Sequence, residues 1–340
     1  VFVHWFDESI QFRADTDFAT EHLSGLYTTE YSLRASEPGG ISEPGFLRDA
    51  DAFVNWMREQ AGVRHVRSYT DIIKRLNRNL HNDEPGQYHL PEQRELAAQY
   101  LLLYEMSLPY GLDLNNQINV DKSSIRVTVT TDVLSTREIL ALNEAAARWL
   151  DDNAPHIDAL PASGTIVMFA NIAARNIRAM IGGTTIALVL ISVILVAALR
   201  SVRIGVLSLI PNLAPAAMGF GLWGLFVGEV GLSLSIVMSM TLGIVIDDTV
   251  HFLSKYLRAR REQGLDSADA VRYAFKTVGK ALVVTSIVLV VGFSILALSK
   301  FANNADVGLL TAVIIALALV ADFLFLPPLL MAIDRRRNAS

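Results

Sequence analysis

Two kinds of periodicity divide this chain. Up to about residue 178, apolar residues recur at the short intervals of strands and amphipathic helices; beyond it they fuse into long runs. Ser123 to Asp132 (SSIRVTVTTD) alternates polar and β-branched residues, as a half-buried strand does. Ser135 to Asp152 then carries Ile139, Leu142, Ala146 and Leu150 on one helical face, with Ser135 and Glu138 spaced as a capping box. Gly164 to Ala170 (GTIVMFA) reads as a returning strand, which completes a βαβ unit. An earlier stretch repeats that order: a short strand over Glu30 to Arg34, a helix over Pro44 to Ala61 with Phe46, Ala50, Phe53 and Met57 inward, and a strand over Val63 to Ser68. Helical stretches Asp71 to Leu80 and Pro91 to Met106 lie between the two. The expected first domain, residues 1–178, is therefore α+β and built from two βαβ-type modules.

The long runs behave differently. A hydrocarbon layer roughly 30 Å thick takes about 20 apolar residues of helix to cross. Five stretches meet that length: about Ala179 to Leu199, Ile204 to Val227, Leu232 to Ser254, Ala281 to Ser299 and Val307 to Ile333. Residues 179–340 thus read as a five-helix transmembrane domain, joined in its middle by a polar connector over residues 255–280. Prolines at Pro211, Pro215, Pro327 and Pro328 fall in the second and fifth spans, where neighbouring helices can re-satisfy the freed carbonyls.

Charge gives the spans a direction. Residues 1–178 hold 16 basic and 25 acidic side chains, and the remainder 13 and 9. Short cytoplasmic loops collect Lys and Arg. The first connector holds Arg200 and Arg203, the third holds seven basic residues against three acidic, and the tail holds Arg335, Arg336 and Arg337. The second holds only Glu229, and the fourth Lys300 with Asp306. The alternation is complete. It places the tail and the odd connectors in the cytoplasm and residues 1–178 outside it, periplasmic if the membrane is a cell inner membrane. An acidic domain of that size needs an upstream signal or helix to cross, and Val1 to Ile10 has the pattern of neither. Of the two explanations, a removed signal peptide or a longer polypeptide of which this is the second part, the sequence favours the second. The absence of cysteine excludes disulfides, thiolate nucleophiles and cysteine metal sites.

The chemistry concentrates in the third span, at Gly243-Ile244-Val245-Ile246-Asp247-Asp248-Thr249-Val250-His251. A carboxylate in mid-membrane costs about 2.5–3.5 kcal/mol even on a lenient scale, so it needs a partner, a cavity or a proton. Two adjacent carboxylates repel when both are charged, and a proton taken up by one relieves the repulsion. Asp247 and His251, four apart, share a helical face, and Asp248 lies about 100° round. His251 can instead snorkel to the interface near Lys255. Asp322, mid-way through the fifth span, is either a further relay group or a hydrogen bond that freezes helix packing. Asn212, Thr285 and Ser286 are polar enough to join a supporting network, although hydroxyls in membrane helices commonly bond to their own backbone. Gly224 and Gly228 form a GxxxG pair suited to close helix approach. In the connector, Asp266 or Ser267 caps a helix with Ala270, Val271, Ala274 and Phe275 on one face and Arg272 and Lys276 opposite, a basic amphipathic helix for the inner leaflet. Nucleic-acid binding is a weak reading of its arginines. His81 and His89 lack the spacing of a metal-ligand pair, and no metal or other cofactor is expected.

Taken together, GIVIDDTVHF over Gly243 to Phe252, PNLAP over Pro211 to Pro215, the Gly264 to Ala270 turn into a helix and ADFLFLPP over Ala321 to Pro328 resemble the resistance-nodulation-division (RND) superfamily. Within it they look like the MMPL-type and hydrophobe/amphiphile exporters related to Patched and Dispatched. The resemblance covers essentially the whole chain. It implies a transporter of two similar halves, each a helix, an outer domain and five more helices, of which this chain looks like the second. Residues 1–178 would correspond to the porter-like domain that passes cargo. Asp247 completes the family's GxxxD pattern from Gly243 and would take the proton, the coupling ion, in the efflux of lipids or other hydrophobic molecules. The implied partners are the missing N-terminal half, the cargo and the membrane, with a homo-oligomer left open. Three other readings carry less weight. A non-transporting sterol-sensing or regulatory protein of the same fold would not need titratable pairs. A protein-translocation accessory subunit would have a different outer domain. An intramembrane aspartyl protease using Asp247 and Asp322 would carry GxGD, and this chain does not, so no enzymatic activity is expected.

Overall fold

Tyr27, Thr29, Tyr31 and Leu33 alternate with less buried neighbours, and that period of two turns one face of a strand into a core. The structure, a computed structural model, describes residues 2–23, 25–109, 114–199, 201–202, 209–228 and 231–338. It divides into one compact unit over Glu8–Ala174 and a second comprising Phe2–Asp7 and Arg175–Ser340.

In the first unit, β1 (Tyr27–Arg34) pairs antiparallel with β3 (Ser124–Thr131), from Tyr27 opposite Thr131 to Arg34 opposite Ser124. β2 (Val63–Arg67) lines the far edge of β3, and the two-residue β4 (Asp158–Ala159) lines the far edge of β1. The order is β2-β3-β1-β4. β1 and β2 are both antiparallel to β3, so they run parallel to each other with β3 between them. β3 and β4 flank β1 in the same way. The two βαβ units are therefore split and interleaved in a single sheet, the ferredoxin-like arrangement, and do not form separate modules. Local spacing revealed the first unit and the strand and helix that open the second; only the pairing of distant strands could reveal the interleaving.

Of the helices, α1 (Gln11–His22) precedes the sheet. α2 (Pro44–Arg58) buries Phe46, Leu47, Ala50, Phe53, Val54 and Met57. α5 (Thr136–Asn153) starts at the expected capping box, in which Ser135 accepts from the Glu138 N–H at 3.3 Å while the Glu138 carboxylate accepts from the Ser135 N–H at 2.8 Å. Hydrogen bonding of the Glu138 carboxylate to the Ser135 side chain and main-chain N–H holds that carboxyl below its ordinary pKa. Trp56 and Trp149 stack at 5.6 Å where α2 and α5 meet. α3 (Tyr69–Leu80) and α4 (Arg94–Ser107) are inserted between β2 and β3, and Tyr100 donates to Asn77 at 2.9 Å to join them. Burial raises the phenols of Tyr31 and Tyr69 above their ordinary pKa.

Gly164 to Ala170 is not the returning strand. Thr165 begins α6 (Thr165–Leu199), and Val167 and Ala170, three apart, bury one helical face against Ile139. The β-branched residues there favour a strand only weakly, and continuity with the apolar run that follows prevails.

The second unit is a helical bundle. After α6 come α7 (Leu209–Phe226), α8 (Leu232–Glu262), α9 (Ser267–Ala274), α10 (Lys280–Leu296), α11 (Ala302–Val320) and α12 (Leu326–Asn338). Two π-helical turns, Phe275–Gly279 and Ala321–Phe325, splice α9 to α10 and α11 to α12, so among the described residues there are five helices long and apolar enough to cross a membrane. Residues 203–208, at the start of the expected second span, and Arg200, Arg203 and Glu229 lie outside the described residues. α11 packs against α7, α8 and α10. It meets α10 backbone to backbone at Gly308, where an added Cβ would lie 2.7 Å from the Phe293 carbonyl and the Ala297 nitrogen. A Cβ at Gly224 or Gly228 would meet nothing within 4 Å, so the GxxxG pair brings no helix close among the described residues. The connector also differs from a leaflet-bound helix. α9 turns Ala270, Val271 and Ala274 into a cluster with Phe252, Leu253 and Tyr256 of α8, so protein covers its apolar face.

Candidate functional site

The 100° step of a helix sorts the polar residues of α8 into two stripes. Thr241, Val245 and Thr249 face the bundle and are buried. Gly243, Asp247 and His251 face away from it, with the Asp247 side chain 74% and the His251 side chain 60% exposed. On that outward stripe His251 Nε2 lies 3.5 Å from Asp247 Oδ1. Asp248 falls between the stripes and is half-buried; its Oδ2 accepts from the Ser286 hydroxyl of α10 at 3.3 Å.

Asp322 lies on the inner side, 2% exposed, in the π turn between α11 and α12. Its Oδ1 accepts from the Thr249 hydroxyl at 3.0 Å, and that hydroxyl also lies 3.3 Å from the Val245 carbonyl. A π turn shifts the phase of everything beyond it and recurs at functional sites. Asn212 on α7 is fully buried, and neither its Oδ1 nor its Nδ2 has a hydrogen-bond partner. Thr285 donates to the Ala281 and Leu282 carbonyls of its own helix and takes no part in the network.

Of the residues singled out by sequence, α8 brings Asp247 and His251 together on its outer face. Ser286 joins Asp248, and Asp322 stands one helix-width inward on Thr249. Sequence reasoning missed Thr249 as a partner of Asp322, although a hydroxyl directly after the Asp247–Asp248 pair was a visible signal. It also missed the fastening at the end of α8, where Tyr256 donates to Asp334 at 2.6 Å and Arg260 pairs with the same carboxylate at 2.9 Å. His81 Nδ1 lies 2.7 Å from the Asn77 carbonyl and His89 Nε2 lies 3.1 Å from Gln87 Oε1, both local contacts. Among the described residues no three His, Asp or Glu side chains gather as metal ligands would.

An aspartate pair in the middle of an apolar helix, a third carboxylate across from it and five spanning helices form one arrangement. The MMPL family matches it over residues 52–339. The chain belongs to the MMPL family. It is thereby a multi-pass, RND-type transporter-like membrane protein. This MMPL chain is also 28% identical over 152 residues to a membrane protein of Methanocaldococcus jannaschii. The alignment takes in 45% of the chain and 39% of that protein, so the chain spans well under half of the relative it matches.

Proposed function

We propose that the chain is one half of a proton-motive-force-driven exporter of lipids or other hydrophobic molecules. Residues 1–178 would be an extracytoplasmic, porter-like domain and the C-terminal tail cytoplasmic, in a cell inner membrane. The observation that carries this is the outward Asp247–His251 pair. A carboxylate on the outside of a spanning helix cannot face hydrocarbon. It must be covered by a second bundle that supplies polar groups, and repeat-built transporters place their coupling sites at such seams. Asp247 takes a proton from the seam, His251 relays it one helical turn toward the cytoplasmic end, and Asp248 on Ser286 registers the change of charge inside this bundle. The ferredoxin-like domain fits the porter role, a sheet with helices on which a second copy can close.

The test is Asp247→Asn in the assembled transporter. The amide keeps the size and hydrogen bonding of the carboxylate but cannot exchange a proton. Export under an imposed pH gradient in proteoliposomes should be lost with Tm held or raised, because an amide is cheaper to bury than a carboxylate. Near-normal export by this variant would remove the proton-relay role and favour a regulatory protein of the same fold.

A further inference from the structure

A buried carboxamide with no partner is expensive. Each orphaned polar group carries the full cost of its lost hydration, and no lipid can satisfy it. Asn212 has two such atoms. Its depth in the bundle follows from one contact. Gly219 of α7 faces Ile314 of α11, whose side chain occupies the place a Cβ would take. Second and fifth spans cross in opposite directions, so stepping back from Gly219 matches stepping forward from Ile314. Asn212 is seven residues back and Asp322 eight forward, roughly 11 Å and 12 Å along the axis at 1.5 Å per residue. α7 packs against the π turn that carries Asp322. Asn212 and the Asp322–Thr249 pair therefore lie at one level.

We propose that Asn212, Thr249 and Asp322 form an inner binding site for a small, hard monovalent cation, separate from the exposed Asp247–His251 pair. The ligating atoms are all oxygens: the Asp322 carboxylate, the Thr249 hydroxyl and the Asn212 Oδ1. One negative charge on so few ligands suits a proton or a sodium ion. A divalent ion such as calcium takes 6–8 oxygens and usually several carboxylates. Asp248 on α8, the residue before Thr249, is the ionisable group next to the pair along that helix. α7 carries no ionisable residue over Leu209–Phe226, α10 carries only Lys280 at its start, and α11 carries only Asp306, sixteen residues from Asp322. α12 carries Asp334 and the arginines after it, at the far end of the bundle from this level.

The inference deepens the exporter reading by adding a second ion position to it, yet binding is measurable without transport. The assembled transporter in lipid nanodiscs is treated with dicyclohexylcarbodiimide, which modifies protonated carboxyls in apolar surroundings, and the adduct is located by peptide mass spectrometry. Asp322 should be labelled increasingly as pH falls. If sodium is the occupant, sodium chloride should protect where choline chloride does not; if the proton is, the two salts should give one pH profile. In both cases Asn212→Leu and Thr249→Val should displace the profile or abolish the protection, with Tm recorded to confirm folding and Asp322→Asn as the unlabelled control. No adduct on Asp322 at any pH would overturn the proposal. So would wild-type profiles in both folded variants. Active export by Asp247→Asn alongside a responsive Asp322 would sink the exporter mechanism and leave this site standing.

Discussion

Thr249 and Ser286 hold the two inward carboxylates on unequal terms. Thr249 is fully buried and 3.0 Å from Asp322, whereas Ser286 is 3.3 Å from the half-buried Asp248. Replacing Thr249 by Val keeps the volume and strips the donor from a carboxyl that has no water to turn to, so unfolding should become easier by about 1–3 kcal/mol. Ser286→Ala should cost less. Tm values of both variants in one detergent give the ranking, and the reverse order would contradict the geometry. Asp248→Asn belongs beside Asp247→Asn in export assays and should be nearly as severe, since coupled carboxylates titrate as a pair. His251→Gln should slow export without ending it, because His251 lies one turn from Lys255 toward the interface, where water can replace a relay. The Asp247–His251 pair was legible in the sequence because spacing by four always puts two residues of a helix on one face. The Asp322–Thr249 bond was not, because a π turn breaks the period from which a face is read. Asn212 stood out by its chemistry, and its lack of a partner emerges only from three-dimensional packing.

Helices that look alike in hydropathy are held together by different devices. α10 and α11 touch backbone to backbone at Gly308, so Gly308→Val should separate them and lower Tm more than the same change at Gly224, where nothing lies within 4 Å. Equal effects would show that the close approach does not carry the packing. In the first unit the capping box gives a pH signature. Glu138 has its pKa lowered by folding, so its contribution is present at neutral pH and is lost as pH falls through the depressed value, below the ordinary 4.5. Ser135→Ala should lower the Tm of the first unit by about 2–4 °C at neutral pH and by less in acid. A loss independent of pH would mean that the two bonds do not act together. This helix start could be read directly from Ser135 and Glu138, since caps depend on neighbours in sequence. Gly164 to Ala170 could not, because β-branched residues suit strands and apolar helices alike until the tertiary context decides. The connector helix misled for a related reason: an apolar stripe states that something covers it, and α8 supplies that cover as readily as a lipid leaflet would.

The five spans were legible because hydrocarbon thickness sets a length that few other structures need. Their direction is a further expectation, and it can be checked in this cysteine-free chain. A single cysteine at Lys122 should react with a membrane-impermeant thiol reagent in intact cells, and one at Arg337 should be protected; the opposite pattern would invert the bundle. The sheet order was beyond reach, because pairings such as Tyr27 with Thr131 join residues about a hundred positions apart, and no local pattern encodes them. That separation has a price in time. β1 is made first and sits between two strands that are made last, one of them ending a few residues before the first spanning helix begins. Closing so long a loop is slow. During synthesis α2 and its apolar face therefore wait uncovered, and only the arrival of β3 and then Asp158–Ala159 lets the sheet assemble. A ribosome pausing between β3 and β4 would leave that open chain exposed to proteases and chaperones for as long as the pause lasts.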